Sequence, residues 1–108
     1  MKKRKIKFNE AVNEAIYQSM EADKKIVCYG LGVTDPRRVF YTTENLVEQF
    51  GKDRVFDVPT SENALTGIAV GLANLGSKVI LSHQRVDFSF LSMDQIINSL
   101  SKWHYMFG

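Results

Sequence analysis

Three short, almost continuously apolar runs alternate along the chain with longer segments whose apolar residues recur at helical spacing. Short apolar runs are typical of strands buried on both faces, and a spacing of three to four residues is typical of helices. The predicted strands span 26–29, 55–58 and 78–83. The predicted helices span roughly 10–22, 44–50, 62–75 and 89–106.

Capping and helix-ending residues set the expected bounds of these helices. Asn9 is expected to cap the first helix, and Thr42 or Thr43 the second, because such side chains accept the free N–H groups of a first turn. Gly51 and Gly76 are expected to end the second and third helices, since glycine tolerates the left-handed conformation that often follows a helix.

The alternation of helix and strand predicts an α/β domain with a parallel sheet covered by helices on both faces. Three strands make a thin sheet, so we expect residues 1–108 to form one incomplete domain, the front part of a longer one. Such a sheet should leave an exposed edge and an apolar face on the last helix. That face carries Met93, Ile96, Ile97, Leu100 and Met106.

Composition limits the class of protein. The chain has 108 residues, of which 44% are hydrophobic and 24% charged, as in soluble globular domains. No apolar stretch approaches the roughly 20 residues of a membrane span, and no secretory signal is recognisable. Cys28, the only cysteine, is expected to be a small buried hydrophobe. Without a disulfide pair, a reducing, cytoplasmic setting fits best.

Positive charge is concentrated at the start of the chain, although the formal net charge is only +2. The remaining chain is net acidic, which does not favour a nucleic-acid surface. The basic start is therefore interpreted as a solvated terminus, with an RNA- or membrane-contacting arm as the alternative. It comprises Lys2, Lys3, Arg4, Lys5 and Lys7.

Three segments are predicted to meet at the carboxyl ends of the strands, where open parallel sheets bind ligands. They are 30–32, 58–62 and 83–88. The Gly30-x-Gly32 pair would open a dinucleotide fingerprint, but the third glycine is missing and no helix start follows it. A general nucleotide-binding module is therefore the last-ranked alternative.

Glu62 opens the third predicted helix and has three interpretations. It complements the helix dipole, it forms a surface ion pair, or it hydrogen-bonds a ligand nitrogen from within a pocket. His83 is either a strand-end histidine or a functional one, and Arg85 either a surface cation or an anion clamp. Gly67 and Gly71, one turn apart, indicate close packing behind the helix rather than chemistry.

Whole segments of the chain resemble one known family. DVPTSENALTGIAVGLANLG is similar to a family stretch D-T-P-I-S-E followed by T-G-I-A-V-G, and three further stretches align in order. They are FNEAVNEAIYQSMEAD, VEQFGKDRVFDVP and DFSFLSMDQIINSLSKWHYMFG. The family is the pyrimidine-binding domain of thiamine-diphosphate enzymes, and the nearest type is the beta subunit of the decarboxylating component of 2-oxo acid dehydrogenases.

The resemblance implies a cofactor, thiamine diphosphate, and a set of residues that bind it. Glu62 matches the acid that shares a proton with the aminopyrimidine nitrogen, so that a cofactor ylide forms and attacks a 2-oxo acid or ketose. Phe88 matches the aromatic residue that stacks on the aminopyrimidine. Ser61, with Thr60, matches the turn that presents the acid, and Leu31 follows the first strand at the cofactor pocket.

The resemblance also implies partners, because the diphosphate and its Mg²⁺ are held in this superfamily by a G-D-G…N motif that the sequence lacks. An alpha-type subunit or another diphosphate-binding domain would supply it, in a homo- or hetero-oligomer. No metal ligand is expected in this chain, and neither nucleic acid nor membrane is an expected partner. The chain alone should therefore bind the cofactor weakly.

Two departures from the family pattern affect the expected activity. Leu31 and Gly32 replace the acidic pair that the family carries after the first strand. His83 and Arg85 stand where the family is apolar, so we hypothesise a substrate with an anionic or polyhydroxylated part. The alternative to an enzyme subunit is a truncated or repurposed domain that keeps the fold and subunit pairing without catalysis.

Overall fold

A three-stranded parallel sheet forms the centre of the computed structural model, which describes residues 4–108. The strands are β1 (Ile26–Gly30), β2 (Val55–Asp57) and β3 (Lys78–Ser82). Their order is β2-β1-β3, and Cys28 in the central strand lies opposite Val55 and Ile80. The predicted α/β class and parallel sheet are confirmed.

Helices precede and follow each strand. They are α1 (Phe8–Ala22), α2 (Arg38–Tyr41), α3 (Leu46–Phe50), α4 (Glu62–Asn74), α5 (Val86–Ser89) and α6 (Trp103–Phe107). A 3-10 turn at Phe90–Ser92 and a π-helical segment at Gln95–Leu100 lie between the last two. The predicted helices over 10–22 and 62–75 are confirmed within two residues at each end.

The hydrophobic core lies on the face of the sheet that α1 and α3 cover. Its buried members are Met20, Ile26, Cys28, Val33, Val39, Leu46 and Val55. Because alternate strand residues point to opposite faces, Ile26 and Cys28 of β1 both enter this core. Cys28 is fully buried, as predicted, and its burial raises the pKa of the thiol to about 11.

Helix α4 covers the opposite face, where it packs chiefly against β3 and is also bonded to Tyr29 of β1. The Tyr29 hydroxyl donates to the carbonyl of Leu65 at 2.8 Å, and its ring stacks on Phe56 at 5.4 Å between centroids. Desolvation of the buried phenol raises the pKa of Tyr29. Both faces of the sheet are therefore covered, although β3 is only half-buried along four of its five residues.

Two of the predicted helix caps are wrong. Helix α1 begins at Phe8, one residue before the expected cap Asn9, because the Glu10 carboxylate accepts the N–H of Lys7 at 2.9 Å. Helix α3 begins at Leu46 rather than 44. The hydroxyls expected to cap it are used elsewhere: Thr43 donates to the Val33 carbonyl at 2.8 Å and Thr42 to that of Val39 at 2.7 Å.

Helix α2 is a single turn in the left-handed conformation, which the sequence did not indicate. All four of its residues, none of them glycine, have positive φ angles between 46° and 66°. Such a turn costs roughly 1–2 kcal/mol per residue, so tertiary bonds must hold it. Arg38 forms two hydrogen bonds to Glu48 at 2.6 and 3.3 Å, and Asn9 donates to the Phe40 carbonyl at 3.4 Å.

The predicted helix over 89–106 is wrong as one continuous element. The backbone N–H of Ser101 bonds the carbonyl of Ile96, five residues earlier, at 3.0 Å, which widens this segment into a π-helix. Of the side chains expected on its apolar face, Met93 and Ile96 are half-buried, whereas Ile97 and Leu100 are each 52% exposed and Met106 is 59% exposed. The predicted apolar face is therefore only partly covered.

The described part of the basic start is exposed, in agreement with a solvated terminus. Arg4 pairs with Glu14, and Lys7 lies 3.9 Å from Glu10. Lys2 and Lys3 lie outside the described residues. Within 4–108, no helix combines the length and the apolar character needed to cross a bilayer.

Candidate functional site: a cleft at the carboxyl edge of the sheet

A narrow cleft, partly open to solvent, lies beyond the carboxyl ends of β1 and β3, beside the start of α4. Its lining is mostly apolar. The lining residues that the sequence had singled out are Leu31, Ser61, Glu62, His83 and Phe88. Five of the six predicted site residues therefore meet in one cleft, and Arg85 is the one that does not line it.

Glu62 is the first residue of α4 and contributes the only carboxylate among the lining residues of the cleft. It is half-buried, and its carboxylate forms no ion pair or hydrogen bond within residues 4–108. A surface ion pair, one of its three interpretations, is therefore not observed in this part of the chain. The carboxylate therefore remains available to a ligand.

The backbone at Glu62 is fixed by two hydroxyl groups. Ser92, fully buried, donates to the Glu62 carbonyl at 2.9 Å, and Thr66 donates to the same oxygen at 2.8 Å. Ser92 belongs to the 3-10 turn that follows α5, so it joins the segment after β3 to the first turn of α4. This contact sets the position from which the carboxylate enters the cleft.

Phe88, half-buried on α5, forms another wall of the cleft. The Arg85 guanidinium lies over this ring, with its Cζ 5.6 Å from the ring centroid. Arg85 also pairs with Asp87 at 3.2 Å and is 66% exposed. Its charge is thus directed to an aromatic face and a neighbouring carboxylate outside the cleft lining.

His83 and Gln84 complete the wall that follows β3. His83 is half-buried and lines the cleft. Gln84 donates from Nε2 to the carbonyl of Leu31 at 3.1 Å, which ties this wall to the loop after β1. Strands β1 and β3 also approach closely at their carboxyl ends, which explains why residue 30 is a glycine. A Cβ there would stand 2.2 Å from the Ser82 carbonyl oxygen.

Asp57, at the end of β2, holds the loop after β1 from the other side. Its carboxylate accepts hydrogen bonds from the backbone N–H groups of Gly32 at 2.6 Å and Val33 at 3.0 Å, and from the Thr34 hydroxyl at 2.6 Å. No sequence motif indicated this role directly. The available signal was a carboxylate at the end of a buried strand, at the edge where ligands bind.

The glycines of α4 differ in their surroundings. A Cβ on Gly67 would stand 3.0 Å from the side-chain oxygen of Gln95, so the π-helical segment packs closely there. A Cβ on Gly71 would meet no atom within 4 Å among the described residues. The predicted close packing is therefore confirmed for Gly67 and not observed for Gly71.

The chemistry of the cleft lining suits the aminopyrimidine part of thiamine diphosphate better than its diphosphate. An unpaired carboxylate and an aromatic ring in an apolar cleft suit a flat heterocycle with ring nitrogens. The lining holds neither Lys nor Arg, and the N–H groups after β1 are occupied by Asp57. No cluster of three or more potential metal ligands occurs within the described residues 4–108.

Fold and cleft define the chain as an α/β domain that presents a ligand cleft at the carboxyl edge of a parallel sheet. The chain belongs to the family described as the transketolase pyrimidine binding domain, whose family model matches residues 4–108. The resemblance identified from the sequence is thereby confirmed. It rests on nearly the whole chain rather than on an isolated motif.

Similar proteins carry the names of 2-oxo acid dehydrogenase beta subunits. The 3-methyl-2-oxobutanoate dehydrogenase subunit beta of Mycobacterium tuberculosis (strain ATCC 25618 / H37Rv) is 40% identical over 94 residues, which are 87% of this chain and 27% of that protein. The pyruvate dehydrogenase E1 component subunit beta of Rickettsia bellii is 37% identical over 103 residues, 95% of this chain and 32% of that protein.

A plant relative extends the same pattern. The 2-oxoisovalerate dehydrogenase subunit beta 2, mitochondrial, of Arabidopsis thaliana is 38% identical over 98 residues, 91% of this chain and 27% of that protein. The chain thus spans less than a third of the length of each of these three relatives.

Proposed function

We propose that this chain provides the pyrimidine-binding half of a thiamine-diphosphate site in an enzyme that acts on a 2-oxo acid. The observation that carries the proposal is the unpaired Glu62 carboxylate in an apolar cleft that Phe88 also lines. Family membership and the names of the relatives support it. When bound, thiamine diphosphate supplies an electron sink for decarboxylation or C–C cleavage beside a carbonyl.

Glu62 would hold a proton at the aminopyrimidine ring nitrogen. The position is suitable because Ser92 and Thr66 fix the Glu62 carbonyl, which leaves only the side chain to adjust to a ligand. A partly desolvated cleft strengthens a charge-assisted hydrogen bond compared with bulk water. Phe88 would orient the ring by stacking, and Leu31 would exclude water from the adjacent wall.

The diphosphate and Mg²⁺ would be held by another chain or domain. Support comes from the lining of the cleft, which lacks a cationic side chain, and from the absence of metal-ligand clusters within the described residues. We propose an alpha-type subunit as this partner, in an oligomer whose cofactor lies between chains. A cytoplasmic location stays a prediction.

For the substrate, we propose that His83 contacts an anionic or polyhydroxylated group. His83 lines the cleft, whereas Arg85 is engaged with Asp87 and Phe88 at its rim. Arg85 would reach a substrate only by leaving these contacts, so Arg85→Met should change substrate use less than His83→Ala does. Steady-state kinetics of the assembled enzyme would separate the two contributions.

A comparison of two ligands on the purified chain tests whether it binds the aminopyrimidine but not the diphosphate. Thiamine diphosphate with Mg²⁺ and the isolated aminopyrimidine, 4-amino-5-hydroxymethyl-2-methylpyrimidine, are titrated separately while backbone amide NMR shifts are followed. We expect both to shift the amides of Glu62, Phe88 and Leu31, with affinities within about threefold, because the diphosphate finds no cation here. Much tighter, Mg²⁺-dependent binding of thiamine diphosphate, or no binding of either, would contradict the proposal.

A non-catalytic domain that retains only fold and subunit pairing is the second candidate. The observation in its favour is Leu31, 37% exposed at the cleft, where the family resemblance implies an acidic pair. This candidate predicts that neither ligand shifts the cleft amides, so the same titration decides between the two functions.

A further inference from the structure

The conformation of the loop after β1 depends on one carboxylate from a different strand. Asp57 Oδ1 accepts the N–H groups of Gly32 and Val33, and Oδ2 accepts the hydroxyl of Thr34 and its N–H at 3.4 Å. Successive backbone N–H groups form a concave anion site, and an anion that fills it fixes several peptide units together.

This loop ends in the cleft wall at Leu31. On the side of β3, the Leu31 carbonyl is held by Gln84; on the side of β2, the next two N–H groups are held by Asp57. Gly32 makes this possible with a φ of 79°, and a Cβ there would lie 2.4 Å from Gln84 Nε2. Leu31 is therefore placed by bonds to its neighbours rather than by burial of its own side chain.

We propose that Asp57 is the positioning residue of the cleft, which sets the place of Leu31 in the wall by fixing the peptide units of Gly32 and Val33. Asp57 does not line the cleft itself, so it acts through Leu31. The consequence for ligand affinity rests on the proposed function. The consequence for the loop does not, because it concerns hydrogen bonds present in the chain alone.

The test compares Asp57→Asn with Asp53→Asn. The asparagine keeps the shape of residue 57 but replaces one acceptor oxygen with a donor and removes the charge. Asp53 is an exposed acid in the turn before β2 whose side chain makes no hydrogen bond within the described residues, so it is the matched control. Amide hydrogen exchange and titration with the isolated aminopyrimidine are measured on the same samples.

We expect Asp57→Asn to raise the exchange rates of the Gly32 and Val33 amides at least about tenfold and to weaken aminopyrimidine binding severalfold. Amides of the central strand β1 should keep their protection, and Asp53→Asn should match the wild type. Unchanged exchange in the loop, or an equal rise throughout β1, would overturn the proposal. If the wild-type chain binds the aminopyrimidine, an Asp57→Asn variant with the same affinity would also overturn the proposal.

If the wild-type chain binds no aminopyrimidine, the proposed function is contradicted, but the role of Asp57 can still be tested by a second measurement. The methyl resonances of Leu31 then decide. A shift in Asp57→Asn that is absent from Asp53→Asn supports the positioning role, and identical spectra of the two variants overturn it.

Discussion

The sheet face under α1 and α3 and the segment from 93 to 107 both carry apolar side chains but differ in burial. On the sheet face, Met20 and Leu46 are 0% exposed. In the segment, Leu100 is 52% and Phe107 67% exposed. The same kind of apolar spacing therefore gives well-covered helices against the sheet, and irregular, partly exposed ones in the segment that packs on α4.

The cleft takes one wall from the loop after β1 and another from the segment after β3. The loop after β1 is attached to the buried core through Val33 and fixed by Asp57. The wall after β3 depends on short helical segments, in which Ser92 makes the buried contact to Glu62.

The largest expected effect contrasts leucines of the two regions. Leu46→Ala should lower the free energy of unfolding by about 2–5 kcal/mol, because it leaves a cavity in the core. Leu100→Ala should cost less than about 1 kcal/mol, since its side chain already contacts water. Urea titrations followed by circular dichroism would measure both. Equal losses would show that the segment 93–107 is as tightly packed as the core.

A second prediction uses the buried thiol of Cys28 to test the core at alkaline pH. Burial raises the pKa of this thiol to about 11, so the folded state keeps a proton that the unfolded state releases at lower pH. Stability from this group is complete below pH 9 and is lost as the pH rises towards 11, by up to roughly 2–3 kcal/mol. The alkaline loss of unfolding free energy should therefore be smaller in Cys28→Ala. If the unfolding free energies of wild type and Cys28→Ala fall in parallel with rising pH, the raised pKa of the buried thiol would be contradicted.

The smallest expected effect concerns the ion pair between the end of α1 and the start of β3. The Lys78 ammonium at 2.8 Å from the Asp23 carboxylate, followed by the N–H of Lys25, lowers the pKa of Asp23 below its usual value. A carboxyl group whose pKa is lowered by folding stabilises the folded state at pH values above its unfolded-state pKa. This stabilisation is lost as the pH falls through its folded-state pKa. Asp23→Asn should thus reduce the melting temperature slightly at pH 7 and no longer at strongly acidic pH. A deficit that persists in acid would contradict this origin.

Strands, the long α4 and the meeting of five candidate residues in one cleft were predictable, because apolar runs and parallel topology are encoded locally. The bonds that shape the cleft were not, since Asp57 reaches the loop from 24 or 25 residues away and Ser92 reaches Glu62 across 30. The same holds for the left-handed α2, whose Arg38 relies on Glu48 ten residues later. Sequence spacing cannot reveal contacts that exist only once the sheet has formed.

The central claim, that the Glu62 carboxylate holds the aminopyrimidine, is tested most directly by its neutral isostere. Glu62→Gln keeps the size of the side chain and removes the acid, and Glu21→Gln, an exposed position on α1 outside the cleft, is the control. Titration with the isolated aminopyrimidine should show at least about a tenfold loss of affinity for Glu62→Gln and none for Glu21→Gln. Wild-type affinity in Glu62→Gln would contradict the account.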